Sequence, residues 1–487
     1  MKSKKLLLIF ILLTTFSYGQ VGIGTITPDP SAALDITSNS QGFLAPRVTT
    51  VERTGITSPA ESLLVFDTDE DTFFYYNTTT TSWIALANDA SVKRNNYKLI
   101  KSAADLAQEL IDGGSSYLLD ENTYYEINGT ITLLNPIDLN NAYVSGMDAN
   151  EDVLSYTGGT VFKGSTGGSI RNVTLVGAKA FEITGSATET LLVQNTIIFG
   201  MNSVGSISGF GLYFSNIVQF VGNTNGITYS NIGNLLLNNQ GWFSSNNGTF
   251  ETFTGTFGLI EKVSGFSTVN GADVALDVSS NPVVATGILQ GTAFSGTTSA
   301  TSGYVKGYTT GSYAGYNFSN AWTAGAPGIP RENDDVATGD INFTASVGSG
   351  VSTLFTGTGT SSREKVIGAT TSNSLFRFEK DGDNKIVYRG SKKRFFGANA
   401  SISFQARNLS DSPTIYILYV AKGEDNGSAS VITQTKVYGR ATTDQEIIAL
   451  PIIGTIELDT DDYIEVWAER YSGSGNMLTV SLNLTVR

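Results

Sequence analysis

The sequence predicts an all-β protein: a parallel β-helix opened by one capping helix, followed by a β-sandwich. Three observations carry that reading. Glycine is abundant, 53 residues against 10 prolines, and Ser, Thr and Asn are frequent, which is the composition of many tight turns between short strands. Between about Tyr117 and Gly296, segments that start on asparagine and end on glycine recur at the length of one β-helix coil. From about Val351 to Arg487 apolar and polar residues alternate with period two.

Residues 1–19 place Lys2, Lys4 and Lys5 before an apolar run, Leu6 to Leu13, and then small or polar residues up to Gly19. That order is expected of a secretory signal peptide cleaved between Gly19 and Gln20, and it implies an extracellular or cell-surface destination. The apolar run is too short for a membrane anchor, so no membrane insertion is expected. Without the three leader lysines, 27 basic residues face 44 acidic ones, a net charge near −17. Scattered, outnumbered Lys and Arg cannot neutralise a phosphate backbone, so nucleic acid is not an expected partner. Cysteine and histidine are both absent, which removes disulfides, thiol nucleophiles, Ser-His systems and imidazole metal sites.

Residues 20–90 predict an amino-terminal β-hairpin module. LLVF and FFYYN are strand runs on either side of Asp67–Asp71, and Trp83 to Leu86 supplies a third strand. With VGIGT, AALDI, GFLAPR and a closing YYN…W in fixed order, this stretch resembles a module found behind the signal peptide of many secreted bacterial proteins, often ahead of fibre-like regions. The resemblance implies a role in attachment or assembly.

The β-helix is expected over 98–296. Within it, 102–112 predicts a capping helix: Leu106, Leu110 and Ile111 fall at helical spacing, Ser102 suits the N-cap and Gly113-Gly114 the stop. Such a helix covers the open first coil, whose apolar interior and strand edges would otherwise face water. Asn172, Asn195 and Asn216 open similar segments 23 and 21 residues apart, and stacked asparagines at a coil corner can hydrogen-bond along the stack. Cap and repeat together resemble pectate-lyase-like, right-handed parallel β-helices of polysaccharide-degrading enzymes and phage tailspikes.

Residues 297–350, rich in Gly, Ser and Tyr, are expected to be a connector or terminal coils whose aromatics seek burial. Over 351–487, MLTVSLNLTVR places Leu478, Val480, Leu482, Leu484 and Val486 on one face, and YIEVWAE sets Ile464, Val466 and Ala468 opposite Tyr463, Glu465, Trp467 and Glu469. About eight such strands make a sandwich. DDYIEVWAERYSG…LTVSLNLTVR resembles the closing strands of trimeric jelly-roll heads, in complement-globular-domain-like proteins and at phage-fibre tips.

A glycosidase on the β-helix would need two carboxylates about 5–10 Å apart over a groove. From Thr160 to Phe250 only Glu182 and Glu189 are acidic, and both are expected to be solvated, so no catalytic residue is assigned. Among the acidic turns, Asp381, Asp383 and Asn384 in EKDGDN form the best candidate calcium site, although turn chemistry explains the same residues and no cofactor is otherwise expected. Trp467, Tyr471, Trp242, Phe243 and Trp322 are the aromatics that could stack on sugar rings, against the commoner use of such residues in packing. The combined expectation is a homotrimeric fibre-like protein for adhesion or receptor recognition, its partner a surface or extracellular glycan or receptor. A β-helix depolymerase and a structural matrix component are the alternatives.

Overall fold

The computed structural model describes residues 19–86, 96–333, 335–410, 413–425 and 427–487. The leader read as a signal peptide therefore lies, apart from Gly19, outside the described residues. The fold is all-β, with a β-solenoid of about ten turns followed by a sandwich. The chain divides into two compact units, 1–95 and 96–487.

In the first unit Val21–Ile23 pairs in parallel with Leu34–Ile36, and a separate four-stranded sheet joins Arg47–Val48, Leu64–Asp67, Thr72–Asn77 and Ser82–Ala85. A one-and-a-half-turn helix, Thr50–Gly55, starts from a capping box in which Thr49 and Glu52 satisfy each other's backbone N–H. Its Arg53 lies buried with the guanidinium 3.7 Å from the Phe74 ring centre and donates from Nε to Asp67 at 2.7 Å. This ion pair holds helix to sheet.

In the second unit twenty strands, from Tyr97–Ile100 to Trp322–Gly325, form one sheet whose pairings are parallel. The step between coils is 21 residues at Val153–Thr174 and grows to 35 at Gly287–Trp322. The stretch expected as connector or terminal coils thus contributes Val305–Lys306 and Trp322–Gly325 to the solenoid. Its first coil is covered as expected by a short helical segment, a 3₁₀ turn at Ala103–Leu106 running into Ala107–Gly113. Leu106 is buried and Leu110 packs on the core, but Ile111 points to solvent. Buried Glu109 pins the segment, accepting from Lys98 Nζ at 2.6 Å and from the Tyr125 hydroxyl at 3.0 Å.

Coil corners repeat a left-handed residue. Asn172, Asn195, Ile217, Asn239, Ser264 and Gly291 have φ between 49° and 70°. Asn195 Nδ2 donates to Asn172 Oδ1 at 3.2 Å, as a stacked ladder requires. Asn216 is not in that ladder. Gln194 pairs with Asn216 and Thr196 with Val218, so the corner position after Asn195 is Ile217. Asparagine tolerates this backbone region because it has a short polar side chain, whereas a β-branched residue crowds it.

In the sandwich, one sheet holds Gly339–Thr344, Val351–Thr353, Asn476–Val486, Arg394–Arg407 and Ile447–Leu458. The other is built on Ile386–Tyr388, Tyr463–Ser472 and Thr414–Gly423. Ile464, Val466 and Ala468 face the core as the alternation predicts. The last strand departs from prediction: Ser403 pairs Ser481 but Phe404 pairs Thr479, so Val480 is a bulge. Met477 and Thr479 are wholly buried, and Leu478 and Val480 do not continue the Leu482, Leu484, Val486 row.

Solenoid and sandwich meet through Phe376 and Arg377. Tyr316 stacks on Phe376 with ring centres 3.9 Å apart. Arg377, buried, donates from Nη2 to the Trp322 and Glu332 carbonyls at 2.8 and 3.1 Å, so a head side chain caps the solenoid's final strand. Relief of the left-handed strain at Ile217 predicts that Ile217→Asn raises stability by about 1 kcal/mol, measured by denaturant unfolding. An unchanged or lowered midpoint would show that this corner stores no strain.

Candidate functional site

The structure removes two of the five aromatic candidates from any surface role. Trp242 is 0% and Trp322 1% exposed. Trp242 stacks on Phe250 at 4.5 Å and lies over its register partner Phe220, while Trp322 fills the interior over Gly287 with its ring 6.5 Å from Phe253. Phe243 is partly exposed but packs edge-on to Phe266, 5.0 Å away. Trp467 is half-buried beside Ile417, Tyr419 and Ala421, with its indole N–H donating to Glu465 at 2.7 Å. Tyr471, 54% exposed, stands most open to solvent of the five. Lys365–Glu465 and Arg363–Glu469 ion pairs, at 3.1 and 3.0 Å, flank Trp467 on the same sheet.

The calcium candidates are also otherwise engaged. Asp381 pairs with Lys385 at 2.6 Å. Asp383 accepts from the backbone N–H groups of Gly368 and Thr370 at 3.0 and 2.8 Å. Asn384 is buried, its amide donating to the Val366 and Val466 carbonyls, both at 2.7 Å. The three side chains diverge into separate structural bonds, which corrects their reading as a shared ligand set. Among the described residues no group of three or more His, Cys, Asp or Glu side chains is placed to hold a metal ion. On the solenoid, Glu182 sits between Lys163 and Lys179 at 2.8 and 2.9 Å, which hold its carboxyl down to about 2, and Glu189 accepts from the Ser186 N–H.

Two surfaces remain. The first is a groove of about 690 Å³ on the sandwich. Asn342, Asn483 and Ser401 form one row across three neighbouring strands, with Thr344 and Ser481 in the next, and Thr371 and Asn373 form a rim. Asn483 donates to Asn342, which donates to Asp340, whose carboxylate also accepts from the Ser374 N–H at 2.6 Å. Amides and hydroxyls offer donors and acceptors without a charge, which suits a neutral, hydroxyl-rich ligand. The row was legible only as alternating polar positions, since Asn342 and Asn483 lie 141 residues apart and Ser401 falls between them in the chain.

The second surface belongs to the amino-terminal unit. Val21, Ile23, Ile26, Leu34, Ile36, Phe43, Leu44 and Val51 are exposed, Ile26 at 99% and Leu44 at 78%, while only Ala45, Val65 and Phe74 among its described apolar residues are buried. A fold that leaves more large apolar side chains outside than inside lacks its covering partner. Residues 22–99 match the phage tail like trimerisation region family.

The match covers this amino-terminal segment and not the chain as a whole. No curated protein matches the sequence. Solved structures similar to part of it include murine APRIL at pH 8.5, with TM-score 0.19 and 10% identity over 31% of this chain and 98% of that one. Eiger TNF from S. frugiperda aligns with TM-score 0.22 and 8% identity over 31% and 93%. Likeness at this level bears no argument about function.

Burial opposes ionisation of Asp383, but the N–H groups of Thr370 and Gly368 outweigh it and hold its carboxyl below the ordinary range. The depressed value means that its stabilisation is present above the ordinary carboxylate pKa and is lost as pH falls through the folded one. Asp383→Ala is therefore expected to cost on the order of 2 kcal/mol at neutral pH, with the cost shrinking in acid and equal in calcium and in chelator. A thermal midpoint that calcium raises in the native protein but not in the variant would restore the metal reading.

Proposed function

We propose that this protein is an exported, homotrimeric, fibre-like surface or extracellular protein that binds its target without catalysis. The amino-terminal unit assembles three chains, the solenoid is a spacer, and the sandwich carries recognition. The observation that carries the reading is the coincidence of the exposed apolar residues 21–51 with the segment matching a trimerisation region. Three copies packing those side chains together would remove them from water, at roughly 25 cal/mol per Å² of apolar surface buried.

Recognition is placed in the Asn342–Asn483–Ser401 groove, and a glycan is the ligand class its uncharged donors and acceptors suit. Export rests on the leader sequence at residues 1–19.

Light scattering across a concentration series tests the assembly. The native chain is expected at three times its monomer mass, and the double variant Ile26→Glu with Leu44→Glu at the monomer mass. A native monomer would end the fibre-like reading. For recognition, Ser401→Trp, which fills the groove, is expected to abolish glycan-array binding with the trimer intact. Binding retained by that variant would move the ligand site elsewhere.

A further inference from the structure

Glu251 and Lys262 both project into the solenoid interior, 0% and 2% exposed at their side chains. Lys262 Nζ is 3.0 and 3.1 Å from the two Glu251 carboxylate oxygens. It also donates to Oε1 of Gln240, on the preceding coil, at 3.0 Å. Gln240 is itself buried, and its Nε2 donates to the Ser215 hydroxyl at 2.9 Å, which turns the amide oxygen toward the lysine. The Phe250 ring lies 5.0 Å from Nζ. An amine, a carboxamide and a carboxyl group thus meet in an apolar core closed to water.

From this arrangement we infer that Lys262 and Gln240 become joined by an amide bond between adjacent coils, with Glu251 as the acid and base of the reaction. Adding one carbonyl bond of about 1.23 Å to the hydrogen bond puts Nζ no farther than about 4.2 Å from Gln240 Cδ, within a side-chain rotation of attack distance. Glu251 first takes a proton from the ammonium group. The freed amine then attacks Cδ, forming the Nζ–Cδ bond. The Cδ–Nε2 bond breaks as Nε2, protonated through Glu251, leaves as ammonia, and the proton lost by Nζ in forming the amide returns to Glu251. The products are a secondary amide, ammonia and a protonated carboxyl group, and no oxidant is consumed.

Burial favours both ends of this sequence. Desolvation pushes the Glu251 carboxyl up, which favours the neutral acid that the first step forms. The product replaces a buried ion pair by two neutral groups, removing the desolvation cost of both charges. Fixed neighbours supply the orientation that an intramolecular condensation requires.

The test is tryptic mapping of the denatured native protein by mass spectrometry. Lys179, Lys262 and Lys306 bound two successive fragments, 180–262 and 263–306. The expected result is a single fragment, 180–306, uncut at Lys262 and lighter by one ammonia. Its position separates this loss from cyclisation of Gln20 at a processed amino terminus. Two fragments at their sequence masses would overturn the proposal. Glu251→Gln, which keeps shape, amine and carboxamide, is expected to restore cutting at Lys262 with its far-ultraviolet β signal unchanged. A cross-link surviving in that variant would remove Glu251 from the chemistry.

Discussion

Each coil of the solenoid completes its backbone hydrogen bonds only through the coils on either side, and that dependence organises the second unit. Strands such as Leu212–Val221 and Ile227–Trp242 pair in parallel and in register, so inward side chains of one coil rest on those of the next. Stacked pairs such as Phe162 with Phe181 and Tyr229 with Phe253 follow from that alignment. The corners must then turn within one residue, which sets the left-handed positions from Asn172 to Gly291. The ends are the remaining liability, since a terminal coil has a neighbour on one side only. The helical segment anchored by Glu109 covers the first coil, and Arg377 with Phe376 ties the last to the sandwich.

The same stacking raises the stakes for polar groups inside. Asn223 and Asn246 are buried in successive coils, Asn223 Nδ2 donating to Asn246 Oδ1 at 2.9 Å while the Asn246 amide donates to the Phe220 and Phe243 carbonyls. Gln240, Glu251 and Lys262 form a second internal polar set. A buried ion pair of this kind contributes little net stability over well-packed apolar side chains, because desolvating two charges offsets their attraction. Its presence at the centre of an aromatic core therefore calls for a chemical or registering role.

The amino-terminal unit obeys a different constraint. It is too small to bury its own apolar residues, and its interior depends on a charged pair: burial opposes ionisation of Asp67, but Arg53, Thr50 and the N–H groups of Glu70 and Asp69 hold its carboxyl down to about 2. Side chains from Val21 to Val51 are left to be covered from outside. That division, a polar hub within and an apolar exterior, suits a unit completed by other copies of itself.

Composition and periodicity by themselves determined the fold class, the capping segment at 102–112 and the alternation of Ile464, Val466 and Ala468, because those signals are local. The exchange of Asn216 for Ile217 at a corner, the bulge at Val480 and the burial of Trp242 and Trp322 were decided by register between coils and strands, which a single chain's pattern does not encode. Asp381, Asp383 and Asn384 looked like a ligand set because their spacing is that of a turn. Only the folded chain shows each one committed to a different neighbour. The groove row Asn342–Asn483–Ser401 and the meeting of Gln240, Glu251 and Lys262 are tertiary in the same sense: their residues acquire chemistry only when separate strands bring them within hydrogen-bond distance.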